Sequence, residues 1–433
     1  MSERKIDLTA AWSIVVANMI GTGVFTSLGF QLFDTKPGFP ILLIWILGGV
    51  LAFLGALCYA ELATRLPKDG GEYYFLSKIY HPILGFMAGF VSSTVGFAAP
   101  IAAAALALGG YLNGVFPGIH QTLTAALIII GIASIHLLNM RAGVSFQKIF
   151  TFIKVGIIIL FIGVGFVKGN IQSVVFSPAA FSWNDLLNHG LAVSLVWVSF
   201  AYSGWNASAY IAGEIINPNR NLSRSILYGT GIVTVLYVLL NMVFMMAAPA
   251  TALVGVKEVG LVASNYIFGE YGGRFMGGII SILLISTISS MVLAGPRVLQ
   301  SMFEKIPVAA AIGKRDASGN PVGAIVFQTA LSLILMVTLD FDSLIYYIAF
   351  TLSLFTTLTV AGIMVLRSRQ GKPEGYRAWG YPVTPVLFII TTLLIAVYFG
   401  FTHPKESLSG LATALLGALL YFISDTKSKE VEA

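Results

Sequence analysis

The sequence predicts an all-α polytopic membrane protein, and three observations carry that prediction. Hydrophobic residues make up 57% of the 433 positions and charged residues 10%, against about 25% charged in a soluble globular domain. Mean hydropathy is +0.87. Apolar stretches recur from end to end, each near the ~20 residues a helix needs to cross the hydrocarbon. The 25 Lys+Arg and 19 Asp+Glu cannot coat a water-facing surface, and a net charge of +6 is too thinly spread to suggest nucleic acid. The single cysteine, Cys58, allows no intrachain disulfide, and five scattered histidines give no metal cluster. No cofactor is expected. Ser2–Asp7 mixes both signs and precedes a span-length apolar run without an A-x-A site. The first hydrophobic segment is therefore expected to stay as a membrane helix.

Twelve spans can be drawn. The first five run roughly Leu8–Leu32, Pro40–Thr64, Ile83–Phe116, Thr122–Leu138 and Phe146–Val167. The next five run Leu186–Ile216, Ser225–Ala248, Gly273–Met302, Val322–Leu339 and Ser343–Leu366. The last two are Val383–Gly400 and Leu408–Ile423. The longest polar stretches, near Arg65–Tyr80, Glu304–Asn320 and Arg367–Tyr381, are too short to fold alone. With the N-terminus inside, 19 of the 25 Lys and Arg fall on one set of alternating loops. The other set holds 5 (Lys36, Lys168, Lys257, Arg274 and Lys405), and Lys154 is left inside a span. Cytoplasmic loops carry the cation excess, so both termini are expected in the cytoplasm and the chain in the plasma (cytoplasmic) membrane.

Gly21 and Gly23 flank Thr22 in mid-span, where each glycine costs about 1 kcal/mol relative to alanine. A small-residue packing notch accounts for an isolated G-x-G. The alternative is a discontinuous helix, tolerated at membrane depth only beside protein or a water-filled cavity. A second interruption decides between them: the sixth span carries Ser203, Gly204 and Asn206 at mid-depth. Breaks at equivalent places in two five-helix halves point to an inverted-repeat transporter with a midplane site. The expected division is 1–168 for the first repeat, 169–366 for the second, and 367–433 for two further spans and a cytoplasmic tail.

Several fragments resemble the amino acid–polyamine–organocation superfamily, nearest its L-type amino acid transporter branch. Gly21-Thr-Gly-Val-Phe25 is similar to its first-helix glycine motif, and 59–73 (YAELATRLPKDGGEY) to the loop after its second helix. Phe200-Ala-Tyr-Ser-Gly-Trp-Asn206 and the following Glu214–Leu222 resemble its sixth helix and exit. Gly295-Pro-Arg297 and Tyr376–Pro382 are also similar to family signatures. The resemblance covers nearly the whole chain. It implies a LeuT-type five-plus-five inverted repeat plus two C-terminal helices, in an amino acid permease working as antiporter or symporter.

An amino acid zwitterion presents two opposite charges, which suit the free N–H and C=O groups of broken helices. By the resemblance, the amides of Gly21, Thr22 and Gly23, with the Thr22 hydroxyl, hold the carboxylate. The carbonyls of Met19, Ile20, Phe200, Ala201 and Ser203 hold the ammonium, with Gly204 and Asn206 completing the second break. Relatives often carry serine where Thr22 stands and glycine where Ser203 stands, and the second departure narrows the pocket here. Phe200, Tyr202 and Trp205 are either gates or ordinary packing aromatics, Phe200 being the first candidate by resemblance. The central stretches of the third, eighth and tenth spans hold no ionisable residue, so a cationic substrate side chain lacks a buried carboxylate. Neutral L-amino acids, small to medium, are expected; cationic amino acids or polyamines are the alternative.

Lys154 stands at depth in the fifth span, where a charge costs at least a few kcal/mol unless partnered. Either it snorkels to the cytoplasmic edge or it is functional. Many members of the resembling family carry a fifth-helix lysine near the cation site of sodium-coupled relatives. Its ammonium is expected to replace sodium there, bracing the first span against the eighth, where Ser286, Ser289 and Ser290 cluster. Sodium-independent exchange or proton coupling follows. Glu61 and Glu214 are expected to pair with nearby arginines rather than carry protons, and Arg65–Tyr80 to form a short cytoplasmic helix or loop that moves in gating. The partners expected are an amino acid and membrane lipid, with no nucleic acid and no subunit that the sequence identifies. A membrane enzyme would need a polar catalytic cluster at depth, and a channel a repeated filter or charge rings; the sequence has neither.

Overall fold

A computed structural model describes residues 6–138, 140–168, 174, 176–178, 189–303, 310–316 and 319–432. Arg4, Lys5 and Lys305 of the loop bias lie outside them. Regular structure among the described residues is helical, apart from one isolated bridge between Ile6 and Ile215. Among the described residues ten helices are long and apolar enough to cross a membrane, as expected of an integral membrane protein.

The first span is two helices, α1 (Leu8–Met19) and α2 (Thr22–Gln31). Asp7 caps α1 by accepting from the Ala10 amide at 2.7 Å, satisfying one of the orphan donors of a helix start. Next come α3 (Phe39–Arg65) and the short α4 (Glu72–Ile79). The third span runs from α5 (Pro82–Val91) through a π-helical stretch, Ser92–Ala98, into α6 (Ala99–Val115). Such π segments frequently mark functional sites. Then follow α7 (Gln121–Leu138), α8 (Met140–Lys168) and α9 (His189–Ala201). A 3-10 stretch, Ala207–Glu214, leads to α10 (Pro218–Ala247). The remainder are α11 (Val259–Phe303), α12 (Val322–Thr338), α13 (Phe341–Gln370), α14 (Val383–Thr402) and α15 (Pro404–Glu432). Prolines open α3, α5 and α10 within their first two positions, where the missing N–H is not needed.

Several boundaries differ from expectation. The α11 element starts 14 residues before Gly273, and Gly269 at φ 74° separates a preceding helical segment from the span proper. Ser264, Asn265, Glu270 and three glycines dilute that stretch below the hydropathy of a span. The sixth span is not continuous, and α12 is 17 residues long, so neither counts among the ten.

Burial divides the spans into interior and lipid-facing sets. The first and third are 83% and 89% buried, while the last is 22% buried. Inside, α10 packs on both α1 and α3, α11 on α6, and α2 on α9. The polar chemistry accordingly has to lie among these interior helices.

Candidate functional site

The first break is local. Ile20 (ψ 82°) and Gly21 (φ −118°, ψ −150°) leave the helix, and α2 restarts at Thr22 without a side-chain cap. The Gly21 amide turns back to the Met19 carbonyl at 2.8 Å. The second break follows Ala201, where Ser203 donates its amide to Phe200 (2.9 Å) and Gly204 takes φ 95°. That φ favours glycine, and a Cβ on Gly204 would meet the Asn18 backbone at 2.9 Å. The two interruptions face each other. A Cβ on Gly23 would stand 2.4 Å from the Ala201 Cα.

A cavity of about 130 Å³ opens beside the second break. Phe200, Tyr202, Ser203, Gly204, Trp205 and Asn206 line it, with Asn18 from α1. Phe97 and Pro100 of the third span and Leu352, Ser353 and Thr356 of α13 form the opposite wall. Met19, Ile20, Gly21, Thr22, Gly23 and Ala201 do not line it: α2 and Ala201 are in direct contact on its flank.

The exposed ends of the broken helices are already engaged. Tyr237 of α10 directs its hydroxyl to the Met19 carbonyl and, at 3.1 Å, to the Ala201 carbonyl. Lys154 is fully buried and donates to the Ile20 carbonyl at 2.7 Å and to Thr287 Oγ1 at 2.8 Å. Thr287 itself donates to the same carbonyl at 2.7 Å. The lysine does not snorkel; it joins the first break to α11. Its α11 contact is Thr287, which sequence reasoning missed, and not the serines beside it. Ser286 takes a 3.4 Å bond from Gln147, Ser289 pairs with His136 at 2.8 Å, and Ser290 donates to the Thr287 carbonyl at 2.8 Å.

Of the aromatic candidates, Tyr202 is locked in packing. Its hydroxyl donates to the Trp45 carbonyl at 3.0 Å, and its ring lies 5.0 Å from Tyr237. Trp205 stands edge-on to Tyr59 at 4.7 Å. Phe200 has no such partner among the described ring contacts and lines the cavity at 7% exposed.

Glu72, opening α4, is a cavity-lining residue that the spans alone could not reveal. Its Oε1 accepts from Tyr59 and from Asn206 Nδ2, each at 2.7 Å. Because it lies outside the spans, inspecting their central stretches for carboxylates passed it over.

The 66–79 segment closes one end of this assembly. Gly70 donates its amide to the Tyr210 carbonyl at 3.0 Å, and Asp69 accepts from the Gly213 amide at 2.7 Å. Glu61 pairs with Arg367 at 2.5 Å and Arg65 at 3.5 Å; Glu214 pairs with Arg297 at 3.2 Å and Arg315 at 3.7 Å. Arginine pairing is as expected, but Arg367 and Arg297 come from distant spans and Arg315 from the loop before α12. Burial, and then the Glu214 carboxylate, push Asp69 from the usual 3.8 to about 6, against the pull of the Gly213 amide, Arg297 and Arg315. An acid whose folded pKa is raised loses stability as pH climbs from its unfolded to its folded value, here from about 4 to about 6. Asp69→Asn is therefore expected to flatten the thermal-stability profile over that window and to stabilise the protein at pH 7 by about 2 kcal/mol or less. A wild-type slope persisting in the variant would contradict this.

Among the described residues no group of His, Cys, Asp and Glu could hold a metal ion. A family profile described as amino acid permease matches residues 6–422. The chain is 29% identical to the mouse large neutral amino acids transporter small subunit 2, covering 97% of this chain and 81% of the relative. It is 29% identical to the serine/threonine exchanger SteT of Bacillus subtilis, covering 96% and 94%. It is 30% identical to the human b(0,+)-type amino acid transporter 1, covering 97% and 88%. By name these are transporters and not enzymes. Two broken helices meeting beside a cavity, and a profile match across nearly the full length, place the chain in the amino acid permease family.

Proposed function

We propose that this protein is a sodium-independent transporter of small to medium neutral L-amino acids, working by alternating access as an exchanger or with protons. The observation that carries it is the contact of the two breaks at Gly23 and Ala201, on the flank of one small cavity lined by the second break. Cavity size supports the substrate class: about 130 Å³ is near the ~150 Å³ engineered cavity that holds benzene. The named substrates of the relatives, large neutral amino acids and serine or threonine, agree with it.

In this reading the amides of Gly21, Thr22 and Gly23, with the Thr22 hydroxyl, bind the carboxylate at the positive end of α2. The carbonyls of Met19, Ile20, Phe200, Ala201 and Ser203 bind the ammonium. Each carbonyl has two lone pairs. The Ala201 carbonyl, whose side-chain donor is Tyr237, keeps one for the ligand. Ile20, bonded to both Lys154 and Thr287, and Met19, bonded to Tyr237 and the Gly21 amide, must release a partner to accept it. Entry requires α2 and Ala201 to part, which makes the closed contact at Gly23 a gate. Phe200 then covers the site. The ammonium of Lys154 occupies the place of a coupling cation between the first break and α11.

The same proposal gives twelve spans, counting the broken 189–214 segment and α12. Repeats 1–168 and 169–366 are followed by 367–433, both termini are cytoplasmic, and the membrane is the plasma membrane. The 19-to-5 bias of Lys and Arg supports that orientation. Cationic amino acids or polyamines are the second reading, favoured by Glu72 in the cavity wall. Its carboxylate is already occupied by Tyr59 and Asn206, which disfavours that reading.

A thermal-shift screen of the purified protein against the common amino acids, with sodium or choline, tests this directly. Ligand at 100 times Kd stabilises by about 2.7 kcal/mol. Alanine, serine or leucine should raise Tm equally in both salts, and proteoliposome uptake should persist in choline. Stabilisation by arginine or polyamines alone would overturn the substrate class. Uptake lost with sodium would overturn the role given to Lys154.

A further inference from the structure

Glu72 is 2% exposed, and among the described residues no lysine, arginine or histidine forms an ion pair with it. A desolvated carboxylate requires donors, and here neutral ones converge from three spans. Tyr59 comes from the second span and Asn206 from the second break, each at 2.7 Å. Ser92, where the third span turns π-helical, faces Oε2 at 3.5 Å. Tyr210, bonded to Asn206 Nδ2 at 3.3 Å, shares the same carboxylate. An ionised carboxylate offers about four acceptor sites, so one side chain gathers the groups that must separate if the sixth span moves against the second and third. It also lines the cavity, on the side where Gly70 docks on the Tyr210 carbonyl.

We propose that Glu72 is a positioning residue that latches the cavity shut toward the 66–79 segment. It ties the broken turn of the sixth span to the second and third, and release of Asn206 and Tyr210 from it opens that side. The proposal rests on the alternating-access reading above. Charge makes the latch: Oε1 accepts from Tyr59 and Asn206 together, and bonds to an ionised acceptor are about twice as strong as neutral ones. A glutamine that keeps this oxygen weakens both and puts an NH₂ group in place of Oε2.

The test uses the full chain with Cys58→Ala and the cavity reporter Ser353→Cys, reconstituted in right-side-out and inside-out vesicles and labelled with a membrane-impermeant thiol reagent. Adding Glu72→Gln should raise the labelling rate from the cytoplasmic face by about tenfold or more, leaving the opposite face unchanged. Combining Glu72→Gln with Asn206→Asp reverses the bond's polarity and should return the rate toward the parent's, which general loosening would not do. Glu72→Asp, keeping the charge, should lie between parent and Glu72→Gln, and it serves if the glutamine variant fails to fold. Parent-like labelling of Glu72→Gln from both faces, or a double variant as fast as Glu72→Gln, overturns the latch. A rise confined to the opposite face supports the latch and overturns the proposed orientation. A parent reporter that no amino acid protects overturns the transport site while leaving the latch to be judged by its own labelling rates.

Discussion

Lys154→Met should reduce amino acid exchange by about two orders of magnitude or more, with no rescue by sodium. The ammonium makes two short bonds, to the Ile20 carbonyl and to Thr287 Oγ1, from a fully buried position. Hydrogen bonds to charged groups contribute about 1.5–3 kcal/mol each, and each 1.4 kcal/mol is a factor of ten. Methionine matches the stem's length and fills its space, so the loss isolates the charge from the packing. Thr287→Val should cost less, because Lys154 still reaches Ile20. The double variant should be no worse than Lys154→Met alone, since both residues act on one carbonyl. Initial rates of labelled alanine counterflow check all three. Wild-type exchange by Lys154→Met would show the lysine to be a bystander.

Gly23→Ala should be the more damaging of the two glycine substitutions in the first break. Its new methyl would lie 2.4 Å from the Ala201 Cα and 2.7 Å from its Cβ, distances that real contacts do not reach. The obstacle is backbone, so α2 or the end of α9 must shift. Overpacking costs about 1–3 kcal/mol where side chains give way, and this site belongs at or above the upper end. Ala201→Gly should not rescue it, because the Cα remains. Gly21→Ala places its methyl 3.2 Å from Thr287 Cγ2, a group that yields by a few tenths of an ångström. Its φ of −118° is open to any residue. The Tm of the purified variants, read with counterflow, should therefore rank wild type, Gly21→Ala and Gly23→Ala in falling order. Equal effects at both positions would show that the approach of the two breaks does not govern stability.

Much of the site was legible because its signals are local. Gly21 and Gly204 interrupt their helices at the expected places, although Gly48-Gly49 and Gly109-Gly110 lie in helices that continue unbroken. A lysine amid apolar residues has to find acceptors, and Lys154 does. What failed was the identity of partners. Ser286, Ser289 and Ser290 flank Thr287, but a helix turns about 100° per residue, so neighbours in sequence face different helices. Tyr237 meets the first break from 218 positions away, and nothing in its own surroundings marks it. Glu72 escaped because carboxylates were sought within spans, whereas the chain folds a short helix from outside them onto the cavity.

Hydrophobicity, glycine placement and the distribution of cations are properties of short stretches, and they determined the membrane class and the positions of the breaks. Tertiary structure decided which carbonyls are already occupied, which residues wall the cavity, and that α2 rests against Ala201. Those outcomes depend on how each helix is rotated and how closely it approaches its neighbours. Rotation and approach are set by the packing of all the helices together, so no single segment encodes them.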